Sequence, residues 1–97
     1  MAELLTDDQI QDAVDALDDW TVEEKTLVRS VENKTFLDGI RLVATVAQVA
    51  EGMNHHPDID IRWNKVTLVL STHSEGGLTQ LDIELAHRIA AETGLGA

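Results

Sequence analysis

Pro57, the only proline of the chain, stands where the hydrophobic rhythm changes. Before it, Ile40, Val43, Val46, Ala47, Ala50 and Met53 recur at the spacing of one helical face, with Arg41, Thr45, Gln48 and Gly52 opposite. After it, "DIDIRW" alternates apolar and polar residues as a short strand does, and "KVTLVLSTH" reads as a longer strand. Proline crowds the residue before it out of helical geometry, so a helix running from about Asp38 has to end near Asn54 or His55. The chain therefore switches from helix to strand at this point. A tight link at Asn64-Lys65 folds the two following strands into a hairpin.

The rest of the chain supplies matching parts. Thr6 is a natural N-cap and Gln9 completes a capping box, with Leu5 and Ile10 placed as a hydrophobic staple. Ile10, Ala13, Val14 and Leu17 then give a helix of roughly 7 to 18. Trp20 to Val22 and Thr26 to about Val31 read as two strands around a polar turn. "SEGG" is a loop, after which Thr79 caps a last helix with Asp82 at N3 and Leu78 and Ile83 as its staple. Ile83, Ala86, Ile89 and Ala90 form its stripe, and Gly94 provides the stop. The order is α-β-β-α-β-β-α. Two hairpins pairing into one sheet predict an α+β fold: a four-stranded antiparallel sheet with amphipathic helices packed on one face. At 97 residues, one domain over 1–97 can bury about 65% of its unfolded surface, enough for a modest core.

Charge and composition narrow the function. Eighteen acidic against seven basic residues give a formal charge of −11, a surface that repels phosphate backbones and argues against direct nucleic-acid binding. Cysteine is absent, so there is no thiol or disulfide chemistry. "MAELLTDDQI" has no basic region followed by an apolar run, and no stretch approaches 18 apolar residues. No membrane segment is expected, and a cytoplasmic setting is the default.

Candidate chemistry centres on "EGMNHHPDID". Adjacent imidazoles diverge on any regular backbone, so His55 and His56 leave the helix in different directions. Glu51 precedes His55 by four residues, close enough for its carboxylate to orient that ring. His73 ends the long strand, and alternation puts it with Thr67, Val69 and Ser71, opposite Val66, Leu68 and Leu70. If that strand end meets the end of the second helix, three imidazoles surround one pocket. Imidazole gives and takes protons near neutral pH, which suits a reaction that moves protons and expels water. Each residue also has a plain reading: His55 and His56 as helix-exit residues, His73 as a strand-end surface residue, Glu51 as a solvated helix residue, Asp82 as a cap. Trp20 and Trp63 read most simply as core or hairpin-packing residues, although either could edge a pocket for a flat ligand. His87, near the end of the last helix, receives no role. A metal site is not expected, because adjacent histidines share one ion only with strain and no zinc spacing is present.

Taken together, these residues form a signature. Glu51, "GMN", His55-His56-Pro57, "DIDIR", Trp63, "NKVTLVLST", His73, "SEGGLTQL", Asp82 resembles the pattern of the pterin-4a-carbinolamine dehydratases at every fixed position over 32 residues. "HHPDI", "NKVTLVLSTH" and "GGLTQLD" look like segments of that family, as does "LTDDQIQDAVDALDDW" at the start. The chain departs from the pattern where the second helix is aliphatic after Phe36, and where Asn54 and Ile59 stand in place of the Asp and Trp common in animal members.

The resemblance implies a hydro-lyase without metal or redox cofactor. It would eliminate water from a 4a-hydroxytetrahydropterin to give the quinonoid dihydropterin, recycling the pterin of an aromatic amino acid hydroxylase, its metabolic partner. His55 and His73 would be the acid/base pair, while His56 would bind and orient the pterin with a catalytic contribution. Glu51 would support His55 or the pterin ring. Asn54, Ser71 and Thr72 would supply polar contacts at the pocket edge. Asp82 would stay structural, as a cap that places the preceding loop, and Pro57 would end the helix so that both imidazoles enter the pocket. Family members assemble as homodimers or homotetramers. A rival reading is a non-catalytic interaction, assembly or coactivator module on the same fold, which would have no need of the three histidines.

Overall fold

The structure is a computed structural model that describes residues 2–94. Its elements are α1 (Asp7–Asp15), β1 (Thr21–Glu23), β2 (Thr26–Glu32), α2 (Phe36–Met53), β3 (Asp58–Arg62), β4 (Lys65–Leu70) and α3 (Gln80–Thr93), with a 3-10 turn at His73–Glu75. All strands pair antiparallel in the order β1-β2-β4-β3. This is the expected α+β arrangement, with the two hairpins joined through β2 and β4.

Sheet register sorts the side chains. Leu27 pairs with Leu70, Val31 with Val66, and Leu68 with both Arg29 and Ile59. This face meets Leu42, Val46 and Ala50 of α2 and Ile83, Leu85, Ala86 and Ile89 of α3 in one apolar core. Leu27, Val46, Val66, Leu68, Leu70, Leu85 and Ile89 are fully buried, and each contributes roughly 1.5–3 kcal/mol relative to an exposed side chain. Gly39 faces the sheet from α2, where a Cβ would meet Val66 Cγ2 at 3.4 Å, an ordinary packing distance.

Several boundaries differ from the sequence expectation, each for a local reason. Helix α1 stops at Asp15, not 18, because Ala16 and Leu17 bond back to Ala13 and Val14 in a tightened last turn. Asp19 then takes φ 66°, and the chain turns so that Leu17 and Trp20 enter the core. Helix α2 starts at Phe36, with Thr35 as cap accepting the Asp38 N–H at 3.0 Å. Asp38 is therefore its N3 residue and not its start. Its buried stripe runs through Gly39, Leu42, Val46 and Ala50, while Ala47 is exposed. Strand β4 ends at Leu70, so His73 lies in the 3-10 turn and not on the strand. Trp20 is buried, but Trp63 sits in the β3–β4 turn at φ 49° and is 73% exposed, so it packs no core.

One buried cation had no sequence expectation. Arg29 is buried on the helix side of β2, where its guanidinium donates to the Asp18 carbonyl at 3.2 Å and meets the Asp19 carboxylate at 3.6 Å. It ties the exit of α1 to the sheet.

Candidate active site

Three chain ends converge around the histidines: the end of α2, the end of β4 and the start of α3. Asn54 ends α2 in the left-handed region (φ 51°). Its N–H bonds the Glu51 carbonyl and the His55 N–H bonds the Ala50 carbonyl, both at 3.1 Å. This pair of bonds is a Schellman closure, in which asparagine tolerates the positive φ. It turns His55 inward and leaves His56 outside.

His55 Nε2 lies 2.6 Å from Asp82 Oδ1, with both side chains buried. Asp82 Oδ2 accepts from the Thr72 hydroxyl at 2.8 Å and from the Thr79 N–H at 3.0 Å. Thr72 and Thr79 hydroxyls are 2.7 Å apart, and Thr79 Oγ1 accepts from the Leu81 N–H. These bonds order the protons. Thr72 gives its proton to Asp82, so it accepts from Thr79. A carboxylate only accepts, so His55 Nε2 is the nitrogen that donates to Asp82, and Nδ1 lies outside this bond. Each buried polar group here is satisfied by another, which fixes the His55 ring.

Glu51, expected to orient His55, bonds His56 Nε2 at 2.8 Å instead. The left-handed turn at Asn54 takes His55 off the helical register on which the four-residue spacing depends. Asp82 keeps the capping role the sequence predicts, including the full capping box of α3, and in addition it holds His55. Thr72, expected at the pocket edge, is buried with its hydroxyl committed to Asp82. Asn54 is exposed and Ser71 half-buried.

His73 is one residue beyond Thr72 and thus covalently tied to the network. It is exposed, with Nε2 4.0 Å from Asp58 Oδ2. Asp58 follows Pro57, so the start of β3 brings a third carboxylate to the third imidazole. Sequence reasoning passed over Asp58, although its place two residues after His56 was the available signal. Trp63, in the turn after β3, is five residues from Asp58, about 16 Å along a strand at ~3.3 Å per residue, and does not adjoin these rings. A groove of about 400 Å³ on the helical side, lined by residues including Thr45, Gln48, Val49 and Arg88, contains none of the histidines. Among the described residues no three of His, Asp or Glu are grouped so as to hold a metal ion, and no helix is long and apolar enough to cross a membrane.

Comparison with known proteins gives the family. The family model for pterin 4 alpha carbinolamine dehydratase matches residues 3–92. A Mycobacteroides abscessus protein named for pterin-4-alpha-carbinolamine dehydratase is 55% identical over 91 residues, spanning 94% of this chain and 97% of that one. A Nocardia farcinica protein of the same name is 53% identical over 87 residues, spanning 90% and 92%. The crystal structure of a transcriptional coactivator/pterin dehydratase from Brucella melitensis superposes with a TM-score of 0.85 at 36% identity, over 90% of this chain and 95% of that one.

Proposed function

This chain belongs to the pterin 4 alpha carbinolamine dehydratase family, and on that premise we propose that it is a hydro-lyase acting on a 4a-hydroxytetrahydropterin by histidine acid/base catalysis. The C4a–O bond breaks, the hydroxyl leaves as water on receiving a proton, and the ring nitrogen gives up its own proton. The product is the quinonoid dihydropterin, so the net change is loss of one water. His55 and His73 serve as the acid/base pair. His56, steadied by Glu51, orients the pterin, with Asn54 and Ser71 at the rim. Asp82 holds the His55 ring so that Nδ1 faces the substrate.

The observation that carries this reading is the His55–Asp82–Thr72 network with His73 on the next residue. A protein that merely binds a partner has no need of a buried imidazole held by a carboxylate, with an exposed imidazole one residue beyond the network. A positioned acid or base contributes roughly 100- to 10,000-fold. The test is ultraviolet absorbance of freshly generated 4a-hydroxytetrahydropterin with wild type, His55→Ala and His73→Ala. Acceleration that disappears in both variants supports the pair. Near-full activity in both sinks it. A bell-shaped pH profile is expected, since one group has to start neutral and one protonated, and a flat profile from pH 5 to 9 counts against it.

Self-association belongs to the same proposal. Helix α2 exposes Phe36 and Leu37 about by half, with Ala44 and Ala47 further along, an apolar stripe suited to a second copy. Sedimentation should give a dimer or tetramer, and Leu37→Asp should lower that state. The Brucella melitensis structure's description as a coactivator supports a second reading, an interaction module. One stoichiometric protein partner together with no turnover would favour it.

A further inference from the structure

We infer that the N-terminal strap, Leu4 and Leu5, positions the histidine site through the loop 72–79, and that ionic strength sets how firmly it does so. This rests on the acid/base reading for its consequence in turnover, but not for its structural content.

The link is a single peptide plane. Leu5 N–H donates to the Leu78 carbonyl at 2.9 Å, and the N–H of that same peptide, on Thr79, donates to Asp82 Oδ2 at 3.0 Å. Asp82 Oδ1 in turn takes His55 Nε2 at 2.6 Å. Because a peptide is rigid and planar, the strap's grip on the carbonyl also aims the N–H at Asp82. Bonds in series polarise one another, so the far end feels the near one. Leu4 adds a bridge to Thr79, and its Cδ2 lies 3.0 Å from where a Gly77 Cβ would stand. The opposite flank of the loop is held by the Thr72 N–H on the Gly77 carbonyl at 2.8 Å. His73 follows Thr72 directly, at the start of the 3-10 turn.

What holds the strap is weak by construction. Helix α1, directly behind it, has no fully buried side chain; Leu5, Ile10, Ala13 and Val14 only lean on the core. Residues 1–24 carry nine acidic side chains and no Lys or Arg. Asp8 and Asp12 repel at i,i+4. Asp12 and Asp15 lie toward the helix C-terminus, where negative charge opposes the macrodipole and no basic residue offsets it. Arg29 anchors the far end, at Asp18 and Asp19. Such repulsion is long-ranged in dilute buffer and short-ranged in salt: the Debye length falls from about 30 Å at 0.01 M to about 3 Å at 1 M. Docking of the strap, and with it the aim of His55, should therefore tighten as salt rises.

The experiment compares wild type, Leu5→Pro, which removes the donor, and Leu5→Val, which keeps it. It reads the His55 Nε2 proton by nuclear magnetic resonance alongside kcat and KM. Leu5→Pro should broaden or shift that proton and lower kcat about tenfold with KM nearly unchanged, a contribution of the size that positioning supplies; Leu5→Val should match wild type. Between about 0.01 and 1 M NaCl, wild type should show slowing exchange of α1 amides together with a sharpening His55 signal. The triple variant Asp8→Asn, Asp12→Asn, Asp15→Asn should flatten that dependence. An unmoved His55 signal in folded Leu5→Pro, or in wild type while α1 amides open, overturns the inference. If Leu5→Pro does not fold, the salt series decides alone. If the wild type proves inactive, the acid/base reading fails while the His55 signal still judges the strap.

Discussion

His55 and His56 are neighbours in the chain, and each meets a carboxylate at nearly the same distance, 2.6 Å to Asp82 and 2.8 Å to Glu51. Their surroundings differ. The His55 and Asp82 side chains are 10% and 0% exposed, the His56 and Glu51 side chains 57% and 82%. Water and salt screen the outer pair, so it contributes little to stability and stays free to move with a ligand. The inner pair has no water to fall back on, and every lost bond there leaves a buried polar group unmet. Equal distances thus describe one rigid ring and one adjustable ring. A rigid imidazole beside a movable one suits the proposed site, which has to hold a flat substrate and then shift its protons.

Breaking the inner pair should have the largest effect. Asp82→Asn leaves an amide among donors that need a carboxylate, and should cost about 3 kcal/mol of stability, read from the urea midpoint. An unchanged midpoint would mean the two pairs are energetically alike. His55→Ala and His73→Ala come next, each lowering turnover by roughly tenfold to a thousandfold. They should part company in stability, with the exposed His73 position leaving the midpoint in place. Thr72→Val removes one hydroxyl from the network while keeping the shape, and about 1–2 kcal/mol is expected in the same titration. The smallest effect belongs to the outer pair. Glu51→Gln should change turnover less than about threefold and leave stability within about 0.5 kcal/mol. A larger loss than that of Thr72→Val would reverse the comparison.

Much of the fold was legible because it rests on short-range rules. Thr6, Thr79 and Gly94 mark helix ends by local hydrogen bonding, and all three act as the spacing predicts. Alternation in "DIDIR" and "KVTLVL" is a property of neighbours, and it sets the β3–β4 hairpin. Errors fell where a tertiary contact overrode the local pattern. Ala47 fits an apolar stripe, but α2 turns Gly39, Leu42, Val46 and Ala50 to the core and leaves Ala47 exposed. Trp63 looks like a core residue by its chemistry, yet its turn directs it to solvent.

The sequence by itself determined the order of the elements, the helix exit at Asn54 and Pro57, and the three imidazoles as the chemical candidates. Only the tertiary structure decided which carboxylate serves which imidazole. Glu51 is five residues from His56, and Asp82 is 27 from His55. Spacing rules hold along one continuous helix, and the left-handed turn at Asn54 ends their reach. The longer pairing exists because the sheet carries the end of β4 and the start of α3 to the end of α2. There, exclusion of water makes one carboxylate among eighteen acidic residues part of the core.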